Sequence, residues 1–145
     1  MSILWSSSSL KKLVNARSSK EWEASGVEID SRKVKKGDLF CAINGKNYNG
    51  HDFINSASES GATACLISDN LINTKKVTLV KVNNVLDTLE RMAKNARMRS
   101  KAKFIAVTGS VGKTGTKDMM HLALSKVAST YSNESSYNNH LGVPL

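Results

Sequence analysis

Two cysteines and three histidines are all the chain offers to soft or nitrogen-preferring metals, and they are scattered. There is no C-x-x-C pair and no histidine cluster, which excludes the common zinc and dithiol-redox motifs. Cys41 and Cys65 each sit inside an apolar run, Leu39-Phe-Cys-Ala-Ile43 and Ala64-Cys-Leu-Ile67. They read as small buried hydrophobes of a reducing compartment. Nowhere do about 18 apolar residues follow one another, so no membrane-spanning helix is expected. Ile3-Leu-Trp5 is too short an apolar run for a secretory signal. A cytoplasmic location is the expectation. Acidic residues are outnumbered 12 to 21, giving a net charge of +9, and aromatics make up only 6%. The positive charge is spread along the chain, with no aromatic side chains interleaved for base stacking. A lysine-rich solvated surface therefore explains it better than a nucleic-acid stripe, and no nucleic-acid partner is expected. A phosphorylated small molecule remains the other class of partner.

What is present alternates in type. Ser6–Ser9 can cap a short helix carrying Leu10, Leu13 and Val14 on one face. Residues 15–25 look polar and turn-like. Gly26-Val-Glu-Ile-Asp30 alternates apolar and acidic side chains, as a half-exposed strand does. It leads through Asp30-Ser31-Arg32 into a basic turn ending at Gly37. Asp38–Ile43 is nearly all apolar and predicts a strand buried on both faces. The glycine- and asparagine-rich loop 44–50 follows, then a helix over 51–60 with Phe53, Ile54 and Ala57 inward and Gly61 as its cap. His51 opens that helix, where capping or packing competes with an acid–base role. Residues 62–67 and 77–82 predict two more strands. Residues 84–99 predict the longest helix, with Val85, Leu89, Met92, Ala93 and Ala96 on one face. Strand–helix alternation of this kind marks an α/β domain.

A second organising element begins at Phe104. The apolar run Phe104–Val107 predicts a buried strand that breaks at Gly109. A helix starts after Gly112 and runs to about Ala128, with Met119, Met120, Leu122, Ala123 and Val127 as its apolar residues. Strand, glycine loop, Lys-Thr, helix is the layout of a phosphate-binding loop, whose backbone N–H groups and helix N-terminus face an anion. Gly109, Ser110, Val111, Gly112, Lys113, Thr114 and Gly115 are its candidate residues. Lys113 would sit at the β/γ-phosphates and the Thr114 hydroxyl on Mg²⁺. Val107 stands where the general pattern has its first glycine, leaving the shorter Gly109-x-x-Gly112-Lys113-Thr114. Thr130–Ser132 predicts a further short strand. Too few residues follow Gly109 for the several strands a nucleotide-binding sheet needs. The expected organisation is therefore a first α/β domain over 1–100, followed over 101–145 by the opening strand–loop–helix of an incomplete α/β nucleotide-binding domain. The apolar faces of that second segment need the remainder of the domain, or a partner, to cover them.

Several stretches together resemble the Mur ligases, cytoplasmic ATP-dependent enzymes that build the peptide of the bacterial cell wall. The shortened loop Thr108-Gly-Ser-Val-Gly-Lys-Thr114 is one. A second is the run Asp30-Ser-Arg32, Gly37-Asp-Leu-Phe40, Ala42, Gly45, Gly50-His51, Phe53-Ile54, Ala57 and Gly61-Ala62, similar to the uridine-diphosphate-binding domain of the later members. Asn138-Asn139 with Leu141-Gly-Val-Pro-Leu145 resembles the member that joins D-alanyl-D-alanine to UDP-N-acetylmuramoyl-tripeptide. The N-terminal run alone would not separate it from the member adding the third amino acid. The resemblance implies that ATP and Mg²⁺ activate the terminal carboxylate of the UDP-linked tripeptide as an acyl phosphate, which the amine of D-alanyl-D-alanine attacks. It implies that Ser31 and the loop Lys46-Asn47-Tyr48 bind the uridine diphosphate end. Arg32 would join them or pair with a nearby carboxylate. Asn138 and Asn139 would face the reacting groups, with turn chemistry before Gly142 as the alternative. Gly115 stands where the family has serine or threonine, Ser136 replaces an asparagine, and His140 follows the Asn pair. The family's later metal-binding and base-binding residues have no counterpart before Leu145, so the 145-residue chain by itself is expected to lack ligase activity. A non-catalytic module binding a UDP-sugar or ATP is the competing class.

Overall fold

A computed structural model describes residues 3–45, 48–69 and 74–133. Seven short strands are found among them: β1 (Trp5–Ser6), β2 (Arg17–Ser18), β3 (Glu23–Ala24), β4 (Gly26–Glu28), β5 (Asp38–Cys41), β6 (Ala64–Ile67) and β7 (Thr78–Lys81). Four α-helices accompany them: α1 (Ser7–Val14), α2 (Ile54–Glu59), α3 (Val85–Arg99) and α4 (Lys113–Leu124). The principal sheet has the order β2-β7-β6-β5-β4. Strands β4 to β7 run parallel, and β2 closes one edge antiparallel to β7. A separate ribbon pairs β1 with β3.

The strand sequences explain the layering. Side chains alternate between the faces of a strand with period two. Leu39 and Cys41 of β5 and Ala64 and Leu66 of β6 thus enter one core, with Val80 of β7. Phe40, Cys65 and Ile67 enter the other. The first core is covered by Leu10 of α1 and by Val85, Leu89 and Met92 of α3, with Trp5 and Trp22 beside them. The second is covered by Ile54 and Ala57 of α2, together with Val34 and Ala42. Burial on both faces is why β5 and β6 are almost continuously apolar.

Local signals set the helix ends. Ser6 caps α1 in a reciprocal box: the Ser9 N–H donates to Ser6 Oγ at 3.3 Å and the Ser6 N–H to Ser9 Oγ at 2.9 Å. Asn15 ends that helix in the left-handed region, which asparagine tolerates. Asn84 caps α3 through the Asp87 N–H, and its carbonyl accepts the buried Thr88 hydroxyl at 2.7 Å.

Four expectations are corrected. Residues 15–25 are not simply turn: they supply β2 and β3 and bury Ala16, Trp22 and Ala24. Phe53 does not point inward. Gly50–Phe53 forms a 3₁₀ turn rather than α-helix, and its tighter rotation leaves Phe53 on the outside. Residues 104–107 and 130–132 form no strands, and Phe104 and Ile105 are exposed. A strand needs a neighbour for its backbone groups, and the described chain brings none alongside either stretch. Helix α4 ends at Leu124, short of Ala128, and buries none of its residues; Met119, Leu122 and Val127 face solvent.

Candidate functional site

The loops that follow parallel strands emerge on one edge of the sheet, where α/β proteins place their ligands. Residues 29–33 follow β4, 42–50 follow β5 and 68–77 follow β6. The sequence candidates Ser31, Arg32 and Tyr48 all lie on these loops, so the topology brings them to the same edge. Lys46 and Asn47 belong to the second loop and lie outside the described residues. Asn138, Asn139, Ser136 and His140 also lie outside them.

The first loop is organised by carboxylates. Glu28 accepts the N–H groups of Ile29 and Asp30 at 2.8 and 3.0 Å. Asp30 accepts from Arg32 three times: Nε at 2.9 Å and Nη2 at 2.7 Å, forked over both oxygens, and the backbone N–H at 3.1 Å. The forked bond from Arg32 is the main reason the Asp30 carboxyl is held at about 2, against an ordinary 3.8. Partial burial opposes this; the Arg32 backbone N–H and the charges of Arg32 and Lys33 reinforce it. Of the two roles open to Arg32, this geometry realises the pairing with a carboxylate. Between these two residues Ser31 is buried, and no protein group among the described residues bonds its hydroxyl. A small donor and acceptor with a free hydroxyl suits a polar ligand.

The second loop turns back tightly on itself. The Gly50 N–H donates to the Ile43 carbonyl at 2.8 Å and the Gly45 N–H to the Tyr48 carbonyl at 2.9 Å, with Asn44 and Asn49 bridged between. The Tyr48 side chain is left 75% exposed at the tip. Only glycine fits at position 50, because a Cβ there would lie 2.5 Å from the Ile43 carbonyl oxygen. His51 follows, and it is buried. Its Nδ1 stands 2.7 Å from Asn49 Oδ1, which also accepts the His51 backbone N–H at 3.1 Å. Its Nε2 accepts the Ser68 N–H at 3.1 Å. The ring therefore carries its proton on Nδ1 and ties the end of the second loop to the start of the third. An acid–base role is set aside, since both ring nitrogens are engaged by protein. Composition and motif gave no sign of the Ser68 contact, which depends on how β6 ends.

The phosphate-loop candidates lie in 109–115. Gly112 takes a left-handed φ of 78°, and α4 begins directly after it. The Thr116 N–H makes the first turn's bond to the Gly112 carbonyl at 2.9 Å. The N–H groups of Lys113, Thr114 and Gly115 thus belong to the unpaired set at a helix N-terminus. The Lys113 ammonium bonds the Gly109 carbonyl, so the cation lies across the loop that those N–H groups face. No neighbour stands within 4 Å of a Cβ placed on Gly112 or Gly115. An open cradle of N–H donors with an ammonium at its mouth suits phosphate oxygens. Thr114 is exposed and offers a single hydroxyl to a cation. Among the described residues no cluster of three or more His, Cys, Asp or Glu could hold a metal. A Mg²⁺ here would take its other ligands from phosphate and water, as is usual for that ion. On that count the residues present fit the group.

Residues 23–99, from β3 to the end of α3, match the Mur ligase family, catalytic domain. The chain belongs to the Mur ligase family. Over 141 residues, 97% of this chain, it is 39% identical to the UDP-N-acetylmuramoyl-tripeptide--D-alanyl-D-alanine ligase of Rickettsia prowazekii, and it covers 31% of that protein. Among solved structures it resembles MurF of Acinetobacter baumannii with a TM-score of 0.78 and 27% identity, covering 97% of this chain and 32% of that one. It also resembles the MurF ligase of Thermotoga maritima in complex with ADP, with a TM-score of 0.66 and 31% identity, covering 81% of this chain and 27% of that one. The Mur ligase chain thus spans about a third of the length of these relatives. Its α/β architecture is the one they share over the matched region.

Proposed function

We propose that residues 1–100 form the UDP-substrate domain, and residues 101–145 the phosphate-loop segment, of a ligase. That ligase joins D-alanyl-D-alanine to UDP-N-acetylmuramoyl-tripeptide at the expense of ATP. The similarity to the Rickettsia prowazekii ligase across 97% of the chain carries this reading. The convergence of Ser31 and the 44–50 loop on the carboxyl edge of the sheet supports it. ATP supplies the phosphoryl group that activates the substrate carboxylate. Gly109 to Gly115 would wrap its phosphates, with Lys113 neutralising charge on their terminal oxygens and Thr114 as one Mg²⁺ ligand. Ser31 and the loop Lys46-Asn47-Tyr48 would bind the uridine diphosphate end. Arg32 would shape the loop around Ser31 through Asp30. Asn138 and Asn139 would approach the reacting groups. The work of such a site is positioning and charge neutralisation. Among the described residues no helix is long and apolar enough to cross a membrane. Two buried free cysteines support a cytoplasmic setting.

Calorimetry on this chain tests the reading. UDP-N-acetylmuramoyl-tripeptide should bind without ATP or Mg²⁺, and a Ser31→Ala variant should bind it about tenfold more weakly, the worth of one buried hydrogen bond. Absence of binding by the unaltered chain, or equal affinity for the variant, would overturn the assignment.

A further inference from the structure

The buried His51 is a titratable side chain that joins two loops of the candidate UDP edge, and neither the phosphate loop nor Ser31 accounts for it. We infer that His51 is a positioning residue: its neutral, Nδ1-protonated imidazole holds Asn49, next to Tyr48, in the placement that receives the UDP end of the substrate. The inference rests on the UDP reading above.

The geometry specifies both the tautomer and the task. Asn49 Oδ1 can only accept, and it faces two donors, the His51 backbone N–H and Nδ1–H. The Ser68 N–H can only donate, so Nε2 must present its lone pair. Every contact therefore demands the same ring state. Asn49 lies near the end of the second loop and is bridged to Asn44; Ser68 follows β6, a strand buried along its whole length. The imidazole thus ties Asn49 to the end of a fully buried strand. Protonation of Nε2 would set two donors against each other in a buried site and release that tie. Two carboxylates lie near His51, Asp52 on its own turn and Asp69 after β6. Both line, with His51, a cavity of about 280 Å³ that also touches Asn49, Asn55 and Thr74. All the variants below retain both carboxylates, so their influence is common to every comparison.

The test is affinity for UDP-N-acetylmuramoyl-tripeptide at about pH 8 across variants of His51. His51→Gln, whose amide oxygen can still accept from the Ser68 N–H, should bind nearly as well as the unaltered chain. His51→Asn is too short to reach Ser68 and should bind about tenfold more weakly. Equal affinities for His51→Gln and His51→Asn would overturn the role of His51 while leaving the UDP reading intact. Failure of the unaltered chain to bind would overturn both. Nitrogen NMR of the imidazole without ligand adds a separate check: a ring protonated on Nε2 rather than Nδ1 at about pH 8 would refute the geometry itself.

Discussion

Gly50→Ala is the sharpest perturbation of the candidate edge, because the obstruction is entirely backbone. The added Cβ would stand 2.5 Å from the Ile43 carbonyl oxygen, 2.6 Å from the Ile43 nitrogen and 2.8 Å from the Ala42 carbonyl carbon. None of these can rotate away as a side-chain tip could. The Gly50 φ is not left-handed, so the cost is steric rather than conformational. Forcing a methyl group into a packed site costs about 1–3 kcal/mol. Losing the Gly50 N–H to Ile43 bond at 2.8 Å would add about 1 kcal/mol. Against this, alanine lowers unfolded-chain entropy and returns about 0.4–1 kcal/mol. The net is a destabilisation of about 1–3.5 kcal/mol.

Urea unfolding followed by tryptophan fluorescence measures it, since Trp5 and Trp22 are both buried in the first core. UDP-N-acetylmuramoyl-tripeptide affinity should fall in parallel, because the clash falls at the base of the loop that carries Lys46, Asn47 and Tyr48. Gly115→Ala is the control. No atom lies within 4 Å of its Cβ, and alanine should favour α4 by up to about 1 kcal/mol. If Gly50→Ala shifted stability by less than about 0.5 kcal/mol with affinity unchanged, the close approach of residues 43 and 50 would be refuted.

Leu39→Ala should cost about 2–5 kcal/mol in the same urea assay, as expected for a fully buried side chain, whereas Leu122→Glu on the exposed α4 should stay within about 0.5 kcal/mol. Asp30 has a folded pKa below its unfolded value, so its contribution is complete above about pH 4 and is lost as pH falls toward about 2. The shift corresponds to roughly 2 kcal/mol, but Arg32 is 85% exposed, and solvent screening reduces this to about 1 kcal/mol or less. Acid unfolding of Asp30→Asn should accordingly lack that part of the pH dependence. Burial pushes the Cys41 thiol far up and Cys65 to about 12. Neither should react with an aromatic disulfide reagent in the folded chain, and both should react in urea.

The sheet was legible because its signals are local and repeated. The apolar runs at 39–43 and 62–67 can only be strands buried on both faces, and α3 shows its apolar spacing over four turns. Thr88 was hidden in that pattern, since its burial depends on a hydroxyl returned to Asn84 rather than on hydrophobicity. The strands at 17–18 and 23–24 were illegible for a different reason. They span two residues each, too few for any period, and exist because β7 and β1 lie beside them. At the candidate edge, the residue types of Asp30-Ser31-Arg32 and the glycine loop could be picked out in sequence. Pairing of Arg32 with a carboxylate was one of two roles the sequence left open, and the structure shows Asp30 as the partner; the His51–Ser68 link could not be picked out, because it is settled by where β6 stops.

The segment 104–133 shows the same division from the other side. Phe104 and Ile105 have the composition of a core strand, yet composition supplies only the incentive to be buried. The ladder partners must come from elsewhere, and without them both side chains face solvent. The Arg97 guanidinium lying 5.0 Å over the Phe104 ring covers a little of this surface, and such a contact stabilises by only about 0.5–1 kcal/mol when exposed. The phosphate loop needs no such partner. A left-handed Gly112, the first turn of α4 and the return of Lys113 to Gly109 are all interactions within eight residues in sequence. The anion cradle can therefore take shape while the strand leading into it does not. A phosphate-binding measurement on this chain, with Lys113→Ala as its control, would report on the cradle alone; strand formation at 104–107 would follow only when another strand is supplied.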